Sequence, residues 1–151
     1  MHSEPQISVI TVVYNNRIYI EHCMKSVFEQ TYKNIEYIII DGVSTDGSFE
    51  VIKKYLNDID YFVCEQDAGL YDAINKGISL STGDLIGMVN ADDILLPNAT
   101  EILVDSILQG FKVREYPTTL RVRTFGSSNM KLIKEIRDNF FYITKLIHNR
   151  I

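Results

Sequence analysis

The amino-acid sequence predicts an α/β fold, a mainly parallel central sheet with helices on both faces. Two observations predict it. Along the first 110 residues, short apolar runs rich in β-branched residues alternate with stretches whose apolar residues recur at helical spacing. The apolar runs are also continuous, as in strands covered on both faces, and strands of that kind belong to parallel sheets wrapped by helices.

The elements follow in order. "ISVITVVY" (Ile7–Tyr14) is the first strand and "IEYIIID" (Ile35–Asp41) the second. "YFVCE" (Tyr61–Glu65) is a weaker third, and "DLIGMVN" (Asp84–Asn90) a fourth. Between them, Ile20, Met24, Val27 and Phe28 form one helical stripe, Phe49, Ile52 and Leu56 a second, and Leu70, Ala73, Ile74 and Ile78 a third. Pro97 suits the first turn of a fourth helix, "NATEILVDSILQ", which Gly110 could end. Beyond it, "FKVREYPTTLRVRTF" holds one or two strand-like runs broken by Pro117. The remainder predicts a C-terminal amphipathic helix, with Ile133, Ile136, Phe140, Ile143 and Ile147 on one stripe and Lys131, Lys134, Arg137 and Lys145 away from it. Ser128 or Asn129 could cap its start.

Charge divides the chain at the same place. Residues 1–110 carry six Lys/Arg against seventeen Asp/Glu, and residues 111–151 carry nine against three. We therefore expect two segments, 1–110 and 111–151, with different surfaces. The basic segment lacks a recognisable nucleic-acid motif, so no nucleic-acid partner is expected. Its terminal helix has two readings. The apolar stripe packs on the domain's own sheet, or it lies at an anionic membrane surface with the basic residues beside Phe140 and Phe141. The N-terminus "MHSEPQ" shows no signal-peptide pattern, and no apolar run approaches a bilayer span. Cys23 and Cys64 fall within apolar elements without metal-ligand spacing, which predicts reduced core residues in a cytoplasmic protein, at the inner face of the membrane if the second helix reading holds.

In parallel sheets, ligands sit at the carboxyl ends of the strands, where loops converge and helix N-termini point. That geometry gives the polar residues after each strand one address. Asn15 and Asn16 follow the first strand, Asp41 the second, Asp67 the third, and Asp92 and Asp93 the fourth. Each loop alone has an ordinary explanation in turn and cap chemistry; together they predict a site. Adjacent carboxylates such as Asp92 and Asp93 suit a hard divalent cation, Mg²⁺ or Mn²⁺, with a substrate diphosphate and waters completing its shell. No G-x-G-x-x-G or G-x-x-x-x-G-K-[ST] phosphate loop is present.

Four stretches, "SVITVVYNN", "SVFEQTYKNIEYIIIDGVSTDGS", "DAGLYDAINKGISLSTGD" and "MVNADD", resemble in order and spacing the family 2 glycosyltransferases of GT-A fold. The resemblance is to members of the bacterial surface-polysaccharide type. The resemblance spans roughly Ile7 to Leu108 and implies a Rossmann-like nucleotide-diphospho-sugar domain. It implies a nucleotide-diphosphate sugar as donor and a glycan or lipid-linked molecule as acceptor. Tyr14 then matches the aromatic that stacks on the donor base, with Asn15 and Asn16 in the same loop. Asp41 ends the strand whose loop meets the base or ribose, Asp67 lies near the donor, and Asp92 and Asp93 hold the metal and through it the diphosphate. Asn75, Lys76 and Gly77 are left as structural.

Three positions depart from the family pattern. Gly42 stands where many members carry a second acid that reads the base. Asn90 stands where the first acid of a D-x-D usually lies, so the metal site rests on Asp92 and Asp93. The carboxylate that takes the acceptor's proton in an inverting transfer comes, in the family, well after the acid pair. Here the acids beyond Leu108 are Glu115, Glu135 and Asp138, which read as exposed strand and helix positions. No catalytic base is assigned, and the acceptor-binding half reads as shortened. An active transferase and a non-catalytic nucleotide-sugar-binding remnant are both open at this point.

Overall fold

A computed structural model of the chain describes residues 4–109. The chain divides into two units, Met1–Arg114 and Glu115–Ile151. Every described element belongs to the first. The expected helix stop at Gly110, the strand-like runs after it and the C-terminal amphipathic helix lie outside the described residues.

The order is β1 (Ile7–Val13), α1 (Ile20–Phe28), β2 (Ile35–Asp41), α2 (Ser48–Ile52), a 3-10 turn (Lys53–Asp58), β3 (Tyr61–Cys64), α3 (Leu70–Leu80), β4 (Leu85–Asn90) and α4 (Ala99–Leu108). The four strands form one sheet in the order β3-β2-β1-β4, and every pairing is parallel. The expected α/β class, with helices on both faces, is what the chain adopts.

The apolar runs divide between those faces with the two-residue period of a strand. Ile7, Val9 and Val13 of β1 and Tyr37 and Ile39 of β2 pack with Ile20, Met24 and Val27 of α1, Ile52 of α2 and Val104 of α4. Ile10, Ile38 and Ile40 face the other way, against Ala73 of α3. A Cβ at Gly77 would stand 2.5 Å from Ile10 Cγ2, so α3 lies directly on β1. Cys23 is a buried member of the first face, and burial pushes its thiol up to about 11.

Five expectations need correction. Leu56 is exposed, because the chain tightens into a 3-10 turn after Ile52 and leaves the 3.6-residue stripe. Leu70 is likewise exposed at the first residue of α3. β4 is not fully covered on both faces, since Met88 is 44% exposed. Cys64, on the short outer strand β3, is exposed rather than a core residue. Pro97 also precedes the first turn of α4, since Asn98 is the N-cap.

One acidic side chain holds the end of the sheet away from the polar loops. Glu36 is buried on β2 and accepts hydrogen bonds from Ser8 Oγ of β1, from Thr82 N at 2.9 Å and from Thr82 Oγ1 at 2.6 Å. Ser8 Oγ in turn accepts from Gly83 N at 2.9 Å. Burial alone would raise the pKa of this carboxyl, but the hydrogen bonds from Ser8 and Thr82 outweigh it and hold the pKa below the ordinary value. Stability from this group is therefore present above its unfolded pKa and is lost as pH falls through the depressed folded value. Glu36→Gln is expected to cost about 1–3 kcal/mol at neutral pH and to flatten the acid limb of a stability-against-pH curve. Urea unfolding at pH 7 and pH 4 checks both.

Candidate functional site

The sheet register brings four loops to one rim. Val13, Asp41 and Cys64 are successive register partners across β1, β2 and β3, and Val12 pairs with Asn90 of β4. The residues after these positions are the polar ones singled out in the sequence.

At the β1–β2–β3 side, three loops converge on a glycine. Gly42 directly follows β2, is buried, and donates its N–H to Val13 O at 2.9 Å. A Cβ there would stand 2.5 Å from Asp67 Oδ2 and 3.3 Å from Tyr14 Cδ2. Tyr14 is 68% exposed, so its ring is open to solvent while one edge rests at this point. Asp67 Oδ1 accepts Gly69 N at 2.8 Å, which fixes the carboxylate's orientation with Oδ2 toward Gly42. An exposed aromatic ring and a carboxylate oxygen thus flank a floor with no side chain. The space a second acid would take is occupied by Asp67, reaching in from the next loop.

Asp41 lies beneath that floor. It is fully buried, its Oδ1 takes the Ser44 hydroxyl, both oxygens lie within reach of Ser44 N at 3.4 and 3.2 Å, and Oδ2 accepts the Cys64 thiol at 3.2 Å. Cys64 as a residue is exposed, but its sulfur meets the buried Asp41; the desolvation this brings, then the hydrogen bond and negative charge of Asp41, raise the thiol above its usual pKa. The geometry makes Asp41 the shaper of the β2–α2 loop.

Asn15 and Asn16 zip the β1–α1 loop to that same loop. Asn15 Oδ1 accepts Thr45 N at 2.8 Å, and Asn15 N donates to Ser44 Oγ at 2.9 Å, with Asn15 in a left-handed conformation at φ 50°. Asn16 N donates to Ser48 Oγ at 2.9 Å, and its carbonyl accepts Ile20 N at 3.0 Å to start α1. Arg17 N adds a bond to Asp46 Oδ2 at 2.9 Å, while Asp46 Oδ1 accepts Ser48 N at 2.9 Å. Burial would raise the Asp46 pKa, but these bonds from Ser48 and Arg17 lower it, so the clasp is charged at neutral pH.

Lys76, which the sequence reading left as structural, and Asp72, which it did not single out, set the third loop. Lys76 of α3 donates to Gln66 O at 3.0 Å and pairs with Glu65 at 3.0 Å and Asp72 at 3.2 Å. Asp72 Oδ2 also accepts Ala68 N at 3.1 Å. Asp67 is therefore carried on a loop latched to α3 at both ends. The i,i+4 spacing of Asp72 and Lys76 was visible as a helix pair; their reach back to Gln66 and Ala68 was not.

On the other side of β1 stand Asp92 and Asp93, in the turn after β4. Asp93 N donates to Asn90 O at 2.9 Å, and Asn90 Nδ2 donates to Asp93 Oδ2 at 2.8 Å. The neutral amide at position 90 thus orients the second carboxylate. Asp93 is exposed and Asp92 half-buried. The segment that follows is fixed to α1: buried Gln30 donates to Leu96 O at 2.7 Å and accepts Thr100 Oγ1 at 3.0 Å, and Ser26 Oγ accepts Leu95 N at 3.0 Å. Among the described residues, no group of three or more His, Cys, Asp or Glu is placed to hold a metal. Two adjacent carboxylates fit Mg²⁺ or Mn²⁺ as a partial shell, since such ions keep waters and phosphate oxygens as their other ligands.

With strands about 4.8 Å apart, β2 and β4 are two spacings apart across β1. The Gly42 floor and the acid pair thus follow strands whose axes lie about 10 Å apart. No described helix is long and apolar enough to cross a membrane.

Comparison with known proteins gives consistent findings. The profile described as Glycosyl transferase family 2 matches residues 8–148. The chain is 32% identical over 129 residues to glycosyltransferase GlyA of Streptococcus pneumoniae, a match covering 83% of this chain and 18% of that protein. The mannosyltransferase PcManGT of Pyrobaculum calidifontis, solved with GDP-Man and Mn²⁺, superposes with a TM-score of 0.60 at 25% identity, over 70% of this chain and 32% of that one. The structure of S. aureus TarS 1-349 with UDP-GlcNAc gives 0.59 at 25% identity, over 68% and 30%. The chain therefore spans between about a fifth and a third of the length of these proteins, and its sheet and helices are those of the GT-A arrangement.

Proposed function

The chain belongs to glycosyl transferase family 2, and from that premise we propose that it binds a nucleotide-diphosphate sugar along its rim and transfers the sugar to a glycan or lipid-linked acceptor. Surface-polysaccharide assembly is the setting that this reading favours. The observation that carries it is the convergence of Tyr14 and Asp67 on the Gly42 floor, two strands away from Asp92 and Asp93.

Each side chain has a physical part. The Tyr14 ring stacks on the donor base, a contact worth about 1–3 kcal/mol. Asp67 Oδ2 accepts an N–H of the base or a ribose hydroxyl, its other oxygen being held by Gly69. Asp41, Asn15 and Asn16 hold the β1–α1 and β2–α2 loops in register, which fixes where Tyr14 leaves the sheet beside Gly42. Asp92 and Asp93 would hold Mg²⁺ or Mn²⁺ against the diphosphate, with Asn90 steering Asp93. When bound, that ion offsets the charge that builds on the departing nucleotide.

The acceptor hydroxyl must lose a proton as it attacks the anomeric carbon, and we assign no described carboxylate to that step. The alternative reading, a nucleotide-sugar-binding remnant, shares every donor contact and differs only in turnover. The full chain incubated with UDP- and GDP-sugars, Mn²⁺ and a mixed glycan acceptor pool separates the two. Nucleotide release above the protein-free rate is expected for the transferase; donor binding with release at the background rate would leave the binding reading alone.

A further inference from the structure

Two left-handed residues other than glycine stand on this rim, Asn15 at φ 50° and Val43 at φ 63°. Asparagine adopts that conformation readily, and Asn15 uses it to pair with Thr45. Val43 has neither excuse. A β-branched side chain is a true outlier there, and Val43 is 46% exposed, so buried packing does not repay it. The loop imposes the conformation from both sides. Gly42 N is tied to Val13 O, and Ser44 is tied to Asp41 through both its amide and its hydroxyl. The Val43 backbone also meets the Cys64 thiol. Strain that surroundings over-determine, in a residue beside a ligand floor, points to a role for the side chain itself.

The neighbouring groups leave one task undone. Tyr14 stacks on any planar base, and the Asp67 carboxylate accepts the ring N–H of uracil as readily as that of guanine. Neither selects by size. Val43 is the residue next to the floor, and it carries a branched group where glycine would be the unstrained choice. We infer that Val43 is the base-selecting residue of the donor site: its isopropyl group shortens the platform beside Gly42, so a one-ring uracil fits and a two-ring guanine is disfavoured. The donor is accordingly a uridine diphosphate sugar. This rests on the nucleotide-sugar reading above and goes beyond it in naming the base.

The test measures UDP and GDP affinity by calorimetry in Mn²⁺ for the full-length chain, Val43→Gly and Val43→Ala. Wild type is expected to prefer UDP. Val43→Gly should shift the UDP/GDP affinity ratio toward GDP by about five-fold or more, within the range that one small apolar group can discriminate. Its melting temperature should rise as the strain is released. Val43→Ala, which keeps the conformation and shortens the side chain, should shift the ratio in the same direction by less. A glycine variant that melts higher while the ratio stays at the wild-type value overturns the inference and leaves the donor site intact. A wild type preferring GDP also overturns it. A wild type that binds neither nucleotide overturns the donor reading, and this inference with it.

Discussion

Gly42→Ala is expected to leave the fold standing and to remove nucleotide binding. The added Cβ would meet Asp67 Oδ2 at 2.5 Å and Tyr14 Cδ2 at 3.3 Å, the first closer than carbon and oxygen tolerate. Both obstacles are side chains rather than backbone. Asp67 and Tyr14 sit at the surface end of their loops, so they can swing away without disturbing the core. Movement there displaces the two groups, Tyr14 and Asp67, that the donor reading places against the base. An affinity loss of at least about tenfold, about 1.4 kcal/mol, is expected together with a melting temperature within a few degrees of wild type. Calorimetry and thermal melts on the same sample read both. An unchanged affinity would show that the base binds elsewhere, and a collapsed melt would show that Gly42 serves packing rather than the site.

Asp93→Ala acts at the opposite end of the proposed donor site. Asp93 is exposed, and its side chain bonds only to the Asn90 amide among the contacts described for it, while the turn's backbone bond from Asp93 N to Asn90 O survives the change. Stability should therefore move little. The adjacent pair loses half its charge and one of its two hard oxygen donors, so the metal-dependent part of nucleotide affinity should fall by at least about tenfold. Affinity measured in chelator should be the same in variant and wild type. Equal affinities in Mn²⁺ would remove Asp93 from the metal site.

Much of the scaffold was legible in the residues because the forces that make it are local. The β-branched run at 35–41 forms a strand with the expected ends and the run at 7–14 one that stops a residue earlier, at Val13, and the stripes around Ile20–Val27 and Ala73–Ile78 form helices with the expected buried faces. What failed was set by neighbours that sequence periodicity does not encode. Met88 and Cys64 carry the apolar signature of strand residues and are exposed, on the two outermost strands of the described sheet. Leu56 kept the right spacing for a helix that changes pitch beneath it.

The site shows the same division. That polar residues follow each strand was plain, and topology alone gives them a common rim. Which of them stay open at the rim and which are spent on holding the loops was not. Asp41 looks from its position like a contact residue, yet its carboxylate is consumed by Ser44 and Cys64. Gly42 looked like a missing acid and is instead the floor that Asp67 leans over. Lys76 and Asp72, ten and four residues from the backbone groups they hold, fix the loop that carries Asp67. Such roles depend on three loops meeting, which no single window of sequence contains.

The claim at the centre is that one nucleotide diphosphate lies across the rim, base on the Tyr14–Asp67 side and phosphates on the metal held by Asp92 and Asp93. Titration of the full-length chain with UDP and with GDP, in Mn²⁺ and in chelator, tests it most directly. Saturable one-to-one binding that weakens at least about tenfold when the metal is removed is the predicted result. Binding of equal strength in chelator, or no binding of either nucleotide in Mn²⁺, would contradict it.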